Sequence, residues 1–233
     1  MNNQSKGHNP TNEIRPGWLE IIVLGIVYFI VVVVVSRIIL HMFSSDITLV
    51  GLSLSALSAF AGLAAFAAAY LIRIRSGAAF GIRKTTWKWL LISIGIGLAV
   101  FLLNRGLLIL LYIWGGDLNT QDAYQAASSS GVLIFSIQLL FIGILTPLGE
   151  EFAFRGVLTN ALLRYGPWIG IGVSSLIFAL AHGINEILPI AFITGLAAGY
   201  LYYRTKSVWP AVIVHGMNNL LGTIVAFISS YFI

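Results

Sequence analysis

The chain has 233 residues, of which 58% are hydrophobic and only 9% are charged. Its mean hydropathy of +0.94 and its repeated apolar runs of about 20 residues exclude a soluble globular protein, because such runs can cross a bilayer as helices. The net charge of +5 is typical of cytoplasmic loops in a membrane protein rather than of nucleic-acid binding. Since the chain has no cysteine, disulfides, thiolate nucleophiles and cysteine zinc sites are excluded.

Polar and apolar segments divide the chain into three regions: a polar N-terminal tail, a first set of transmembrane helices, and a second set that carries the unusual polar residues. Their boundaries are 1–17, 18–130 and 131–233. The first apolar run is too long for the core of a signal peptide, so we expect it to be retained as a span. The spans predicted in the first set are Trp18–Leu40, Ile47–Ile72 and Trp89–Tyr112.

The most basic loop follows the second predicted span and sets the predicted orientation. Its five cationic residues are Arg73, Arg75, Arg83, Lys84 and Lys88. By the positive-inside rule, this loop and the N-terminus are cytoplasmic, in a cell membrane of the bacterial type. The segment Gly115–Ser130, which has no Lys or Arg, is then a polar loop on the outer side. Arg105 lies near the far end of its span, where we expect it to snorkel to the interface.

In the second set, Gly131–Thr146 is predicted as a span that ends at the helix breakers Pro147 and Gly149. A new helix is expected over Glu150–Tyr165, as a span, a re-entrant arm or an interfacial helix. The spans that follow are Trp168–Gly183, Leu188–Tyr203 and Val208–Phe232. The predicted fold is therefore an all-α polytopic membrane protein, a bundle of about seven to eight transmembrane helices.

Two adjacent carboxylates, Glu150 and Glu151, stand out because a charge inside an apolar body costs several kcal/mol unless it is paired. Glu151 has Arg155 four residues later, in the order that favours an ion pair, so we interpret it as a structural brace. Glu150 has Phe154 at the equivalent position and therefore no local cationic partner. We assign Glu150 the role of a general base.

The turn at Gly166-Pro167 relates Glu150 to His182. Each lies about 16 residues from that turn, so each stands ~24 Å along one of two antiparallel helices. We therefore predict that their polar atoms approach within about 5 Å, directly or through one water. Phe178 precedes His182 by four residues and is placed to pack on its imidazole.

His215 and Asn219 share one face of the last helix, because they are four residues apart. Their predicted height leaves a mismatch of several ångströms with His182. A Glu–His pair can deprotonate a water for attack on a carbonyl, and a second imidazole with an amide can stabilise the oxyanion. The pattern predicts hydrolysis of a peptide bond without a covalent intermediate.

Three motifs occur in order on apolar helices: Glu150-Glu151-xxx-Arg155, Phe178-xxx-His182 and His215-xxx-Asn219. Together they resemble the CAAX-protease and bacteriocin-processing (CPBP, or ABI) family of intramembrane endopeptidases, over roughly Gly131 to Ile233. The resemblance implies a site in a membrane cavity that is reached from the cytoplasmic side. It also implies that Glu150 and His182 activate water, and that His215 and Asn219 form the oxyanion hole.

A zinc-dependent metalloprotease is the main alternative mechanism, with Glu150, His182 and His215 as metal ligands. Asn219 is a poor zinc ligand and the chain has no HExxH signature, so we favour a reaction that requires no cofactor. A non-catalytic immunity or scaffold protein of the same fold stays open. A transporter with Glu150 as a proton relay is disfavoured, because the two halves show no repeat.

The expected partners are membrane lipid and a protein or peptide substrate, membrane-anchored or free, and no nucleic acid. Eukaryotic members of the resembled family remove the last three residues of prenylated CAAX proteins, whereas bacterial relatives are linked to bacteriocin maturation, self-immunity or cell-surface protein handling. The sequence does not select among these substrates.

Overall fold

The apolar segments of the chain fold into helices that follow one another with short connections. The structure is a computed structural model in which residues 14–115 and 119–230 are described. That part of the chain contains eight helices and no β-strand, which confirms the predicted all-α fold of a polytopic membrane protein. The helices are α1 Trp18–Met42, α2 Ile47–Ile72, α3 Trp87–Ile113, α4 Asp122–Ser129, α5 Val132–Tyr165, α6 Pro167–Ala181, α7 Ile187–Thr205 and α8 Trp209–Ser229.

Six of these helices are long and apolar enough to cross a membrane, fewer than the seven to eight predicted. They are α1, α2, α3, α5, α7 and α8. The helix α6 is apolar but has only 15 residues, which is about 22 Å and short of a typical bilayer core. The remaining difference arises because two predicted elements form the single helix α5. Most of the tail assigned to 1–17 lies outside the described residues.

The helix break predicted at Pro147 and Gly149 is wrong, because α5 runs without interruption from Val132 to Tyr165. The helix is wound as a π-helix over Leu139–Leu145 and again over Phe152–Thr159. Pro147 lies in the first turn of the α-helical segment that follows the first π segment, and it has no N–H to donate along the helix. The change of winding thus accommodates the proline inside a continuous helix.

The helix α4 occupies part of the segment predicted as the outer loop Gly115–Ser130. Residues 116–118 of that segment, including Asp117, lie outside the described residues. The backbone of α4 lies close to α2, since a methyl group at Gly51 would lie 1.8 Å from the carbonyl oxygen of Ala123. A small residue in α2 therefore allows this polar helix to pack over one end of the bundle.

Glycines also set the contact between α2 and α5. A methyl group at Gly62 would lie 2.5 Å from the carbonyl carbon of Gly149 and 2.7 Å from the backbone nitrogen of Glu150. This close approach holds the middle of α5 against α2, and it fixes the height of Glu150 in the bundle.

The basic segment between α2 and α3 folds into the bundle, where it forms what we call the closed end. Phe80 of this segment has no exposed surface. Its ring contacts that of Phe66, with 5.4 Å between the centroids, and Phe66 in turn contacts Phe152 at 5.3 Å. The Asn160 amide donates to the carbonyl of Ala79 at 2.8 Å. This end of the bundle is thus filled by aromatic packing and by backbone hydrogen bonds.

A second polar contact ties the helix ends together at the closed end. Glu20 has no exposed surface, accepts from the backbone N–H of Gly17 at 2.7 Å, and pairs with Arg73 at 2.9 Å. Arg164, near the end of α5, donates to the carbonyl of Pro16 at 2.7 Å. The start of α1 and the ends of α2 and α5 therefore meet on the side that carries the basic loop.

Candidate active site

Glu150 lies at the meeting point of two histidines. Its Oε2 is 3.8 Å from Nε2 of His182 and 3.9 Å from Nε2 of His215, and the Glu150 side chain is 3% exposed. The approach of Glu150 to His182 is within the predicted 5 Å. Both distances are too long for a direct hydrogen bond, and they leave a position from which a water molecule can contact all three side chains.

The hairpin of α5 and α6 brings Glu150 and His182 to one level, as their equal distances from the turn predicted. Gly166 has φ +103°, a conformation that glycine adopts without strain, and Pro167 begins α6. Within the hairpin, the hydroxyl of Thr159 donates to that of Ser174 at 2.8 Å. The hairpin is therefore held in register between its turn and the site.

The predicted mismatch in height between His215 and His182 is not found. The helix α8 begins just after Val208, which is fully buried and whose N–H donates to the carbonyl of Gly81 at 3.0 Å. Trp168, in the first turn of α6, is 88% exposed. Because α8 starts inside the bundle whereas α6 starts at its surface, fewer residues of α8 are needed to reach the same level.

His182 follows the last residue of α6, and its ring orientation is fixed by its own helix. Its Nδ1 lies 2.9 Å from the carbonyl oxygen of Phe178, which can only accept, so Nδ1 carries the proton. The Nε2 atom that faces Glu150 is then an acceptor. The amide of Asn185 donates to the His182 carbonyl at 3.1 Å and accepts from Ile187, which holds the turn after the histidine.

The Phe178 ring contacts both imidazoles and is 1% exposed. The ring centroids lie 4.7 Å apart for His182, as predicted, and 5.6 Å apart for His215. The guanidinium of Arg155 lies over the same ring, 4.5 Å from its centroid. Phe178 therefore fixes the positions of the two histidines and of a buried cation at once.

Glu151 contacts a histidine as well as its predicted partner. Its Oε2 pairs with Nε of Arg155 at 3.0 Å, although the angle is too poor for a directed hydrogen bond. Its Oε1 lies 2.9 Å from Nδ1 of His215. Because the carboxylate accepts, Nδ1 of His215 is the donor, and Glu151 orients this ring toward Glu150. The predicted brace is thus also a positioning contact, between residues 64 positions apart in the chain.

A run of three amides extends the site toward α3. The Nδ2 of Asn219 donates to the carbonyl of Ile142 at 3.1 Å and to Nε2 of His215 at 3.2 Å. Asn218 donates to Asn219 at 3.2 Å and accepts from the fully buried Asn104 at 2.9 Å. The carbonyl of Ile142 belongs to the first π segment of α5. The change of winding that accommodates Pro147 thus coincides with an acceptor for Asn219.

The sequence analysis did not identify Asn104 and Asn218 as site residues. Both are amides in apolar spans. A polar residue inside a predicted span can be recognised from the sequence alone and is a candidate functional residue. In the span that contains Asn104, the sequence analysis interpreted only the neighbouring Arg105. The pairing of Asn104 with Asn218 joins residues 114 positions apart, so it required the fold.

The site forms the floor of a cavity of about 890 Å³. Glu150, Phe178 and His215 line its deep end. Arg105 contributes to the wall, with its guanidinium 5.4 Å from the centroid of the Phe101 ring. A volume of this size accommodates several residues of an extended polypeptide together with water.

The alternative mechanism would place a zinc ion between Glu150, His182 and His215. In the described part of the chain, no group of three or more His, Cys, Asp or Glu side chains is arranged to hold a metal. The Nε2 atom of His215, which zinc would need, accepts a hydrogen bond from Asn219. As arranged, these side chains do not fit a three-ligand zinc site.

The fold and the site together define a polytopic α-helical membrane protein in which a buried carboxylate meets two imidazoles and an amide. Residues 132–221 match the family described as "Type II CAAX prenyl endopeptidase Rce1-like". This match supports the resemblance to the CPBP family that the three motifs predicted. The matched segment contains all seven residues of the three motifs.

Curated proteins of three bacteria are similar to part of the chain. The "Membrane-embedded CAAX protease MroQ" of Staphylococcus aureus (strain USA300) is 32% identical over 122 residues, which are 48% of this chain and 47% of that protein. The "Putative membrane peptidase YdiL" of Bacillus subtilis (strain 168) is 30% identical over 84 residues, 36% of this chain and 34% of the relative.

The "UPF0177 protein YaiH" of Lactococcus lactis subsp. lactis (strain IL1403) is 32% identical over 110 residues, 46% of this chain and 45% of the relative. The chain thus matches about half or less of the length of these relatives. No solved structure matches the chain significantly.

Proposed function

We propose that this integral membrane protein is an endopeptidase that hydrolyses a peptide bond with a water molecule activated by Glu150 and His182. One observation carries the proposal: a buried carboxylate oxygen lies within 3.9 Å of the acceptor nitrogens of two histidines, at the floor of a large cavity. The family match of residues 132–221 and the names of two of the similar proteins support a peptidase.

In the proposed first step, a water molecule donates one hydrogen to Glu150 and the other to Nε2 of His182. The water oxygen then forms a bond to the carbonyl carbon of the peptide, and Glu150 takes the proton. In the second step the C–N bond breaks and Glu150 returns that proton to the leaving amine nitrogen. One water is consumed, and one carboxylic acid and one amine are formed.

His215 and Asn219 are proposed to stabilise the oxyanion between these steps. In the free protein, Asn219 donates one N–H to Ile142 and the other to Nε2 of His215. A proton that Nε2 of His215 takes from solvent, and returns to solvent when the products leave, would make His215 a donor and release the second N–H of Asn219. Both groups can then donate to the oxyanion, while Glu151 accepts from Nδ1 of the charged ring.

We propose that this reaction does not require zinc, since Nε2 of His215 is already engaged by Asn219. Purified protein is expected to keep its activity after treatment with a chelator and to show no gain when zinc is restored. Loss of cleavage on chelation, with recovery on addition of zinc, would support the metalloprotease alternative.

The proposed function is tested by Glu150→Gln, which keeps the shape of the side chain and removes its basicity. Peptide termini in membranes of cells that express each variant are identified by mass spectrometry. Termini generated by the wild type should be lost with Glu150→Gln, because the rate of cleavage should fall by about 10²–10⁴-fold. Thermal unfolding in detergent checks that the variant is folded.

Glu186→Gln is the matched control, because Glu186 also lines the cavity but bonds the hydroxyl of Thr120 instead of facing the histidines. This variant should leave the termini unchanged. If Glu150→Gln produced the same termini as the wild type, the proposed hydrolysis would be wrong. Retention of a cellular effect without any turnover would instead point to a scaffold or immunity protein.

A further inference from the structure

The cavity that holds the site opens at the end of the bundle farthest from the basic loop. In each long helix, the residues that line the cavity lie in the middle or in the half away from the basic loop. Its lining includes the buried Glu150 and His215 and the exposed Ser129 and Ser230, which lie at the end of α4 and just after α8. In the described part of the chain, no residue of the basic segment between α2 and α3 lines it.

The opposite side of the site is blocked by the closed end. Trp209 lies six residues before His215 in α8, and its ring packs on that of Phe152 with 5.8 Å between the centroids. Phe80 and Phe66 extend this aromatic layer. The hydroxyl of Ser207 donates to the carbonyl of Arg83 at 2.7 Å, which anchors the basic segment over the layer.

The charges of the sequence assign a side of the membrane to each end. Eight of the 13 Lys and Arg residues lie in connections or helix ends at the closed end: Arg73, Arg75, Arg83, Lys84, Lys88, Arg164, Arg204 and Lys206. The described connections at the cavity mouth, 43–46, 114–115, 119–131 and 182–186, contain no Lys or Arg. The positive-inside rule therefore places the closed end in the cytoplasm and the mouth on the other side.

We infer that the cavity admits its substrate from the extracytoplasmic side. The substrates are then exported peptides, or segments of membrane-anchored proteins that lie just outside the membrane. This differs from the cytoplasmic access that the family resemblance implied. The direction of the opening is inferred only from the residues that line the cavity and from the distribution of Lys and Arg. The kind of substrate rests on the proposed peptidase function.

The absence of native cysteine makes this inference directly testable, because any introduced cysteine is the only thiol. Ala226→Cys places a thiol in the cavity wall, two turns beyond Asn219. Ser76→Cys places one in the exposed basic segment, and Leu102→Cys places one on an exposed apolar face away from the cavity. Each variant is treated with a membrane-impermeant maleimide in right-side-out and in inverted membrane vesicles.

Ala226→Cys should be labelled in right-side-out vesicles and lose that labelling in inverted ones, and Ser76→Cys should show the reverse. Leu102→Cys should stay unlabelled in both, because its side chain faces lipid. Ser129→Cys, at the mouth, provides a second reporter that does not depend on how far the reagent penetrates. Labelling of Ser129→Cys and Ser76→Cys from the same side, or of Ala226→Cys from the cytoplasmic side, would overturn the inference.

The proposed kind of substrate is tested by a separate measurement. The termini that depend on Glu150 should map to extracytoplasmic segments of membrane or exported proteins. If they map to cytoplasmic segments, this part of the inference is wrong even when the labelling is as expected. If no terminus depends on Glu150, the proposed peptidase function fails, while the labelling result still decides the direction of the opening.

Discussion

The closed end and the active site both contain buried polar side chains, but they use them differently. At the closed end, Glu20 and Asn160 each form a hydrogen bond with a backbone group, and Glu20 also pairs with Arg73. In the cavity, buried oxygens of Glu150, Gln138 and Thr146 have no hydrogen-bond partner within the described chain. Buried polar atoms are normally satisfied, so a cluster of unsatisfied ones marks the place where water or substrate must supply the partners.

The largest effect expected from this comparison concerns the two buried carboxylates that contact arginine. Glu151→Leu leaves Arg155 unpaired and removes the acceptor for His215, and breaking such a buried pair costs about 3–5 kcal/mol. Glu20→Leu affects a pair whose Arg73 side chain is 53% exposed, so its effect should be smaller. Thermal unfolding in detergent compares the two variants.

A double variant separates the two roles of Glu151. Glu151→Leu combined with Arg155→Leu removes the uncompensated charge and should recover stability. If Glu151 only braces Arg155, activity returns as well. If Glu151 orients His215, as the 2.9 Å contact indicates, the double variant is stable and inactive.

The next effect is on turnover alone. Asn219→Ala removes one proposed oxyanion donor and should lower kcat by about 10²–10³-fold with little change in KM. The steady-state kinetics of a peptide found to depend on Glu150 provide the measurement. An unchanged kcat would show that Asn219 has no part in stabilising the oxyanion.

A third effect is steric and reaches the site through the backbone. Gly62→Ala forces a methyl group against Gly149 and Glu150, and overpacking of this kind costs about 1–3 kcal/mol. Gly25→Ala is the control, because nothing lies within 4 Å of a methyl group at that position. Gly62→Ala should lower both the unfolding temperature and the activity, and Gly25→Ala neither. Equal behaviour of the two variants would contradict the tight packing of α2 on α5.

The smallest effect compares one amide from each region. Asn104→Ala removes a fully buried donor and should cost about 1–3 kcal/mol of stability, whereas Asn160→Ala removes a partly buried donor and should cost less. Only Asn104→Ala should also lower kcat, because Asn104 acts on Asn219 through Asn218. A reduced kcat for Asn160→Ala at unchanged KM would remove the distinction between a structural and a positioning amide.

Local spacing was enough to predict several of these contacts. The i, i+4 rule gave the pair of Glu151 with Arg155, and equal distances from one turn gave the approach of Glu150 to His182. The contact of Glu151 with His215 could not be predicted, since it depends on where α8 begins relative to α5. That starting point is set by the buried Val208 and by a basic segment that periodicity describes only as a loop.

Sequence rules also failed where one principle overrode another. Pro147 normally ends a helix, and the rule that predicts this assumes regular α winding on both sides. Two π segments in α5 remove that assumption. Glu20 went unnoticed because a carboxylate in the first turn of a helix is ordinary, and its burial appears only when α2 and α5 end beside it.

The π segments give α5 a fixed rotational phase. An α-helix turns by about 100° per residue and a π segment by less, so a π segment takes up one extra residue while the helix beyond it keeps its angular position. Removing a single residue from Leu139–Leu145 would therefore restore regular α winding and leave Glu150 facing the histidines. What this deletion would change is the winding around Ile142, whose carbonyl accepts from Asn219. A relative with intact motifs and a one-residue gap here would thus keep the direction of its carboxylate and lose the π winding beside its amide.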